Sequence, residues 1–174
     1  YNTLNYDTTI KEDHDINVLA GTEAVATYSF GFSASRSNFA FNDLDYRYLN
    51  AGSASGLANA GGGAVRTRLF SQFAKVNYGY KNLLLNIQYT YLSNQFTDSS
   101  NSVESNLSGV IGQIPAYDIL DFSSSYRFKN YKLEFGINNI LDNHYFVRRA
   151  TGYPGPGIIP SPPRNYYITL QLKF

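Results

Sequence analysis

Ile16-Asn17-Val18-Leu19-Ala20-Gly21-Thr22-Glu23-Ala24-Val25-Ala26-Thr27-Tyr28-Ser29-Phe30-Gly31-Phe32-Ser33 is the stretch on which the fold turns. Ile16, Val18, Ala20, Thr22, Ala24, Ala26, Tyr28, Phe30 and Phe32 share one face at a period of two, opposite Asn17, Gly21, Glu23, Thr27, Ser29 and Ser33. That alternation predicts a strand with one apolar and one wet face. At about 3.3 Å per residue, its roughly 17 residues span more than about 50 Å, far beyond the usual strand of five or six.

The same period recurs on both sides of it. Leu4, Tyr6, Thr8 and Ile10 precede it, separated by the charged turn Lys11-Glu12-Asp13-His14-Asp15. Downstream come Phe70, Ala74, Val76, Tyr78 and Tyr80, then Leu83, Leu85, Ile87, Tyr89 and Tyr91. Leu120, Phe122, Tyr126 and Phe128 follow, then Tyr131, Leu133, Phe135 and Ile137, and finally Tyr166, Ile168, Leu170, Leu172 and Phe174. Helical periodicity is missing, so the reading is all-β with about seven long strands. Connections after the first, third and fifth runs are short, with tight turns at Lys81-Asn82 and Lys129-Asn130. Those after the second, fourth and sixth reach roughly 20 residues or more, a length that signals function or disorder. The first of these, between Arg36 and Arg66, contains Gly61-Gly62-Gly63 and reads as a flexible loop, because the triplet lacks the Gly-Lys-Ser/Thr ending of a phosphate cradle.

Composition narrows the class. The 174 residues carry no cysteine, which removes disulfides, thiol nucleophiles and thiolate metal sites. A net charge of +1 argues against a nucleic-acid footprint. No run approaches the roughly 18 apolar residues of a membrane-spanning helix. Yet 16 tyrosines and 12 phenylalanines stand against only 16% charged residues, and aromatics on that scale need an apolar or interfacial setting. In an up-and-down sheet every short turn falls at one end and every long loop at the other. With one apolar face and tyrosines near strand ends, that is the pattern of an antiparallel transmembrane β-barrel of the bacterial outer membrane. Such a sheet must close, since lipid offers no partners to free backbone groups. Seven strands fall short of the even numbers from eight upward that bacterial barrels use, so the chain reads as an incomplete part of a larger barrel. A soluble β-sandwich also alternates, but its strands are shorter.

The C-terminal half, from about Asn86 to Phe174, resembles TonB-dependent outer-membrane receptors of the ferric-citrate type. The resemblance rests on Ile114-Pro115-Ala116-Tyr117, Leu120-Asp121, Gly136-Ile137-Asn138-Asn139-Ile140-Leu141-Asp142, Tyr145-Phe146-Val147-Arg148-Arg149-Ala150, Gly152-Tyr153-Pro154-Gly155-Pro156-Gly157-Ile158, Arg164 and the final strand. The first 80 or so residues are similar instead to starch-utilisation-type (SusC-like) receptors, through Leu4-Asn5-Tyr6-Asp7, Asn17 to Glu23, Tyr48-Leu49-Asn50-Ala51 and Leu69 to Tyr78. The resemblance implies transport of a ferric chelate (a siderophore-like iron complex) or an oligosaccharide, with TonB engaged only through a plug domain that these 174 residues do not include. It implies a fragment covering 1–174, with its two parts meeting near residues 81–86. The terminal strand, Tyr166, Ile168, Leu170, Leu172 and Phe174, is similar to the signal read by the barrel-assembly machinery.

Candidate ligand contacts follow from side-chain chemistry. Arg148, Arg149 and Arg164 flank the Tyr153-Pro154-Gly155-Pro156-Gly157 loop, and guanidinium forks suit citrate-like carboxylates. Their other reading is loop anchoring through backbone carbonyls. Phe41 and Tyr46, with Phe39 and Tyr48, offer aromatic faces to a sugar. His14 and His144 read as solvated residues, since two histidines without motif spacing make no metal site. Asp43, Asp45, Asp98, Glu104 and Asp118 could pair for glycoside hydrolysis only at a fixed separation. No catalytic motif is present, so neither enzymatic activity nor a cofactor is expected. Three functions remain open: a receptor fragment, a small structural or adhesive barrel, and a soluble sugar-binding β-protein.

Overall fold

The computed structural model describes residues 1–52, 58–98, 100–152 and 155–173. The strands are β1 (Asn2–Ile10), β2 (His14–Arg36), β3 (Ala58–Tyr80), β4 (Leu83–Leu92), β5 (Gln95–Phe96), β6 (Gln113–Ile114), β7 (Tyr117–Phe128), β8 (Tyr131–Asn138), β9 (Phe146–Ala150), β10 (Gly157–Pro160) and β11 (Asn165–Leu172). Seven of them form one antiparallel up-and-down sheet in the order β1-β2-β3-β4-β7-β8-β11. Among the described residues the sheet is not closed, and β1 and β11 are its edges. The short pairs β5–β6 and β9–β10 lie within the two later long connections. By contacts the chain separates into two units, Ala26–Thr67 and the remainder, Tyr1–Val25 with Arg68–Phe174.

Register carries the apolar row through the larger unit. Leu4 pairs with Ala20 and Tyr6 with Val18. Val76 pairs with Ile87, Ile87 with Phe122, Phe122 with Ile137 and Ile137 with Tyr166. A slip of one residue in any pair would turn that strand's apolar side chains to the polar face. Much of this apolar surface stays open: Leu4 is 72% exposed and Ile168 73%, Val18, Phe122 and Ile137 are half-buried, and the buried hydrophobic residues among those described are Ile114 and Ala150. Water does not tolerate an apolar face of that extent on a monomer. No helix among the described residues is long and apolar enough to cross a membrane.

The opposite face is tied by amides. Asn17 donates to Asp7 at 2.5 Å and to Asn5 at 3.0 Å, Asn77 donates to Asn17 at 2.8 Å, and Asn86 donates to Asn77 at 2.6 Å. The result is a hydrogen-bonded ladder crossing β1, β2, β3 and β4. On the same face two glycines make room for rings from neighbouring strands. A Cβ at Gly21 would collide with the Phe73 ring, and one at Gly136 with the Tyr167 ring.

Three expectations are corrected. Gly61-Gly62-Gly63 is strand, not flexible loop, because β3 begins at Ala58 and extends well before Phe70. Gly62 faces the Gly31 carbonyl so closely that a Cβ would come within 2.8 Å of its oxygen, which explains small residues there. The irregular segment is correspondingly shorter, with β2 running to Arg36 and two single 3-10 turns, Leu44–Tyr46 and Leu49–Ala51. His14 is not a solvated turn residue. It opens β2, is half-buried, shares a 2.7 Å hydrogen bond with the Tyr78 hydroxyl and stacks on Tyr80 at 4.6 Å. In the β3–β4 turn a hydrogen bond to Tyr80 holds Lys81 above the ordinary lysine pKa.

Candidate functional site

The long connection after β8 begins with a polar corner built on the first half of β7 and the end of β8. The β8 strand stops because Asn139 takes φ +54, a left-handed conformation that asparagine adopts more readily than most residues. Asn139 is buried at 3% exposure. Its backbone N–H donates to Asp121 at 2.8 Å, its side-chain amide donates to the Asn143 carbonyl at 2.9 Å, and its oxygen accepts from the Asn143 N–H at 3.1 Å. The Asn143 amide in turn donates to the backbone and side-chain oxygens of Asp118, at 2.9 and 2.8 Å. Tyr117 stacks on Tyr145 at 4.6 Å. The corner is therefore closed on itself, and Asp118 and Asp121 serve it as acceptors.

The β9–β10 pair rises from this corner, and its two adjacent arginines divide their roles. Arg149 donates to the carbonyls of Gly109 and Gln113, each at 2.9 Å, and lies 5.2 Å from the Phe146 ring centre. It fastens the β5–β6 connection to β9. Gly112, at φ +138, leaves the space this needs, since a Cβ there would approach the Arg149 guanidinium at 3.3 Å. Arg148 is exposed, and the alternation of a strand points it to the opposite side of β9. Arg164 is held elsewhere: its backbone N–H donates to Asp142 at 3.0 Å and its guanidinium lies 3.9 Å from the same carboxylate. Arg149 and Arg164 therefore answer to different partners, and Arg148 shares neither. Tyr153 lies outside the described residues.

In the smaller unit, Phe41 and Tyr46 meet as a tilted pair at 5.4 Å. Asp43 caps the intervening turn by accepting from the Asp45 N–H at 3.2 Å, and Arg47 donates to Asn42. Both rings are exposed, Phe41 at 64% and Tyr46 at 53%. On β11, Tyr166, Ile168, Leu170 and Leu172 form an exposed apolar row on the sheet edge; Phe174 lies outside the described residues. Among the described residues no group of three or more His, Cys, Asp or Glu side chains could hold a metal ion. Asn139, Asn143 and Asp121 were not marked as site residues from sequence, although they organise the corner. The signal was the Asn138-Asn139 pair directly after an alternating run, a turn-forming combination.

No family model matches the chain. Among solved structures the chain is similar to the ferric citrate transporter FecA in its unliganded form, at 15% sequence identity and a TM-score of 0.51. The likeness is one of fold. It covers 99% of this chain and 38% of that one, so this chain spans well under half of that protein's length.

Proposed function

We infer that this chain is barrel wall of a TonB-dependent receptor of the bacterial outer membrane, built to take up a ferric chelate. The observation that carries the reading is the exposed apolar row held in register from β4 through β11, with every short turn at one end of the strands and every long connection at the other. Lipid on that face and a polar interior on the other satisfy both, as in outer-membrane barrels. The fold shared with a ferric citrate transporter supports the substrate class. TonB engagement through a plug, and recognition of the β11 edge by the assembly machinery, belong to the same reading.

Within it, Arg148 is the ligand contact of the arginine group and Arg149 the positioning residue. A free guanidinium fork on an extracellular strand presents paired donors to carboxylates, whereas those of Arg149 are already engaged. The test is ferric citrate binding by the chain in detergent, followed by calorimetry. Arg148→Gln is expected to weaken binding about tenfold, as one charge-assisted contact contributes about 1.5 kcal/mol or more. Equal binding by wild type and variant would remove Arg148 from the site.

A second substrate class rests on the Phe41–Tyr46 pair, whose open ring faces suit a sugar. Binding of a linear oligosaccharide that is lost on Phe41→Ala would favour it over the ferric chelate.

A further inference from the structure

The turn between β7 and β8 gathers more positive charge than the pairing of its strands has use for. On the polar face, register sets Arg127 of β7 directly opposite Lys132 of β8, and Lys132 opposite Gln171 of β11. Like charges directly opposite each other in an antiparallel pair work against the pairing. Lys173 lies two residues beyond Gln171, where its backbone N–H donates to the Asn130 carbonyl at 2.9 Å, and it is therefore the diagonal neighbour of Lys132. Diagonal side chains in such a pair stand about 7–8 Å apart, within reach of long ones. Compensation is partial. Lys132 pairs with Glu134 on its own strand. Arg127 and Lys173 are exposed, and among the described residues no carboxylate lies within ion-pair distance of either. Lys129 in the turn is diverted, since its ammonium lies 5.3 Å from the ring centre of Phe128, a member of the apolar row. Three cations against one carboxylate leave a surplus of two positive charges here, in a chain whose net charge is +1. Arg127, Lys132, Gln171 and Lys173 line an open cleft of about 670 Å³, a volume within the range of small-ligand sites.

We propose that this cleft binds a compact anion carrying two or more oxyanion groups, carboxylates or phosphates. Arg127 takes one group through its paired N–H donors, and Lys132 and Lys173 take the next as point charges. Cations spread over two strand spacings, about 10 Å, suit an anion of more than one group better than a single one. The occupant is not a lipid, because the cations stand on the polar face, and not a nucleic acid, because they form no extended basic stripe. The cleft is built within β7, β8 and β11 alone, so the proposal holds whether or not a ferric chelate is the ligand of Arg148.

The test is titration of the isotope-labelled full chain in non-ionic detergent at fixed ionic strength, read from the backbone amide resonances. Citrate, pyrophosphate and acetate are the probes, with a glutamate-rich peptide as the competing class of partner. Citrate or pyrophosphate is expected to shift the amides of residues 127–132 and 171–173 and to bind at least about tenfold more tightly than acetate. Whichever of the two binds more tightly names the source as carboxylate or phosphate. Arg127→Gln and Lys173→Gln are each expected to weaken that binding about fivefold or more. Glu134→Gln, which releases Lys132 from its partner, should strengthen it. Lys129→Gln removes the same charge from the adjoining turn and should change binding less than about twofold, because a charge that makes no contact acts through screening solvent. Absence of shifts at those residues, equal binding of acetate, tighter binding of the peptide, or an equal loss in Lys129→Gln and Arg127→Gln overturns the proposal.

Discussion

Single residues make the sheet's polar face work. Tyr167 covers Gly136 and Phe73 covers Gly21 so closely that neither glycine has room for a Cβ beneath the ring in its present place. Gly136→Val is therefore expected to lower stability by about 1–3 kcal/mol, the usual cost of overpacking. The added Tyr167→Ala change should restore part of the loss, which thermal unfolding in detergent will show. Asn139 has a different dependence. Asn139→Ala removes both side-chain bonds to Asn143 and leaves the Asn143 N–H without its partner, at a cost of about 1–3 kcal/mol. Asn139→Gly keeps the left-handed backbone but not those bonds, so hydrogen exchange at residues 139–143 should speed up in both variants. Arg149→Ala frees the carbonyls of Gly109 and Gln113, and faster exchange confined to the β5–β6 connection is its expected mark. Arg148→Ala should leave that exchange unchanged.

At the scale of elements, alternation of side chains made the seven main strands legible, because a period of two is the direct consequence of strand geometry and half-burial. Their register was equally legible where short turns fix it, as at Lys81-Asn82 and Lys129-Asn130. Alternation failed where glycine and alanine replace the apolar side chains. Residues 58–69 carry no strong pattern, yet they are strand, because Gly62 lies against the Gly31 backbone and the partner strand supplies the pairing. His14 misled for the opposite reason: its acidic neighbours suggest a solvated turn, while its ring is claimed by Tyr78 and Tyr80 across the sheet. The candidate site was legible only in residue types. The guanidinium chemistry of Arg148 and Arg149 is evident from sequence, but their division of labour depends on which carbonyls the β5–β6 connection brings to β9. The amide ladder could not be read either, since each asparagine contributes one member from a different strand. Asn77→Leu interrupts it and leaves the Asn17 and Asn86 amides each short of a partner, so slower and less complete refolding into detergent is expected.

For the molecule as a whole, the sheet has two unsatisfied edges and an uncovered apolar face, and the two facts call for the same environment. In the proposed barrel-wall reading lipid would cover the face and further strands would meet the edges, since exposed backbone groups are not tolerated in hydrocarbon. Part of the aromatic abundance belongs to this surface, with Tyr6, Tyr28, Phe30, Phe32, Phe128 and Tyr166 exposed on its row, while Phe73 and Tyr167 fill the polar face. The orientation of that row is the central claim. The absence of cysteine allows a direct measurement, with single spin labels introduced by Leu133→Cys, Phe135→Cys, Lys132→Cys and Glu134→Cys on β8 in lipid bilayers, and collision rates read against oxygen and a water-soluble nickel chelate. Labels at 133 and 135 should collide mainly with oxygen and those at 132 and 134 mainly with the chelate, a period of two along the strand. Equal chelate access at all four positions would contradict a lipid-facing row and with it the barrel-wall account.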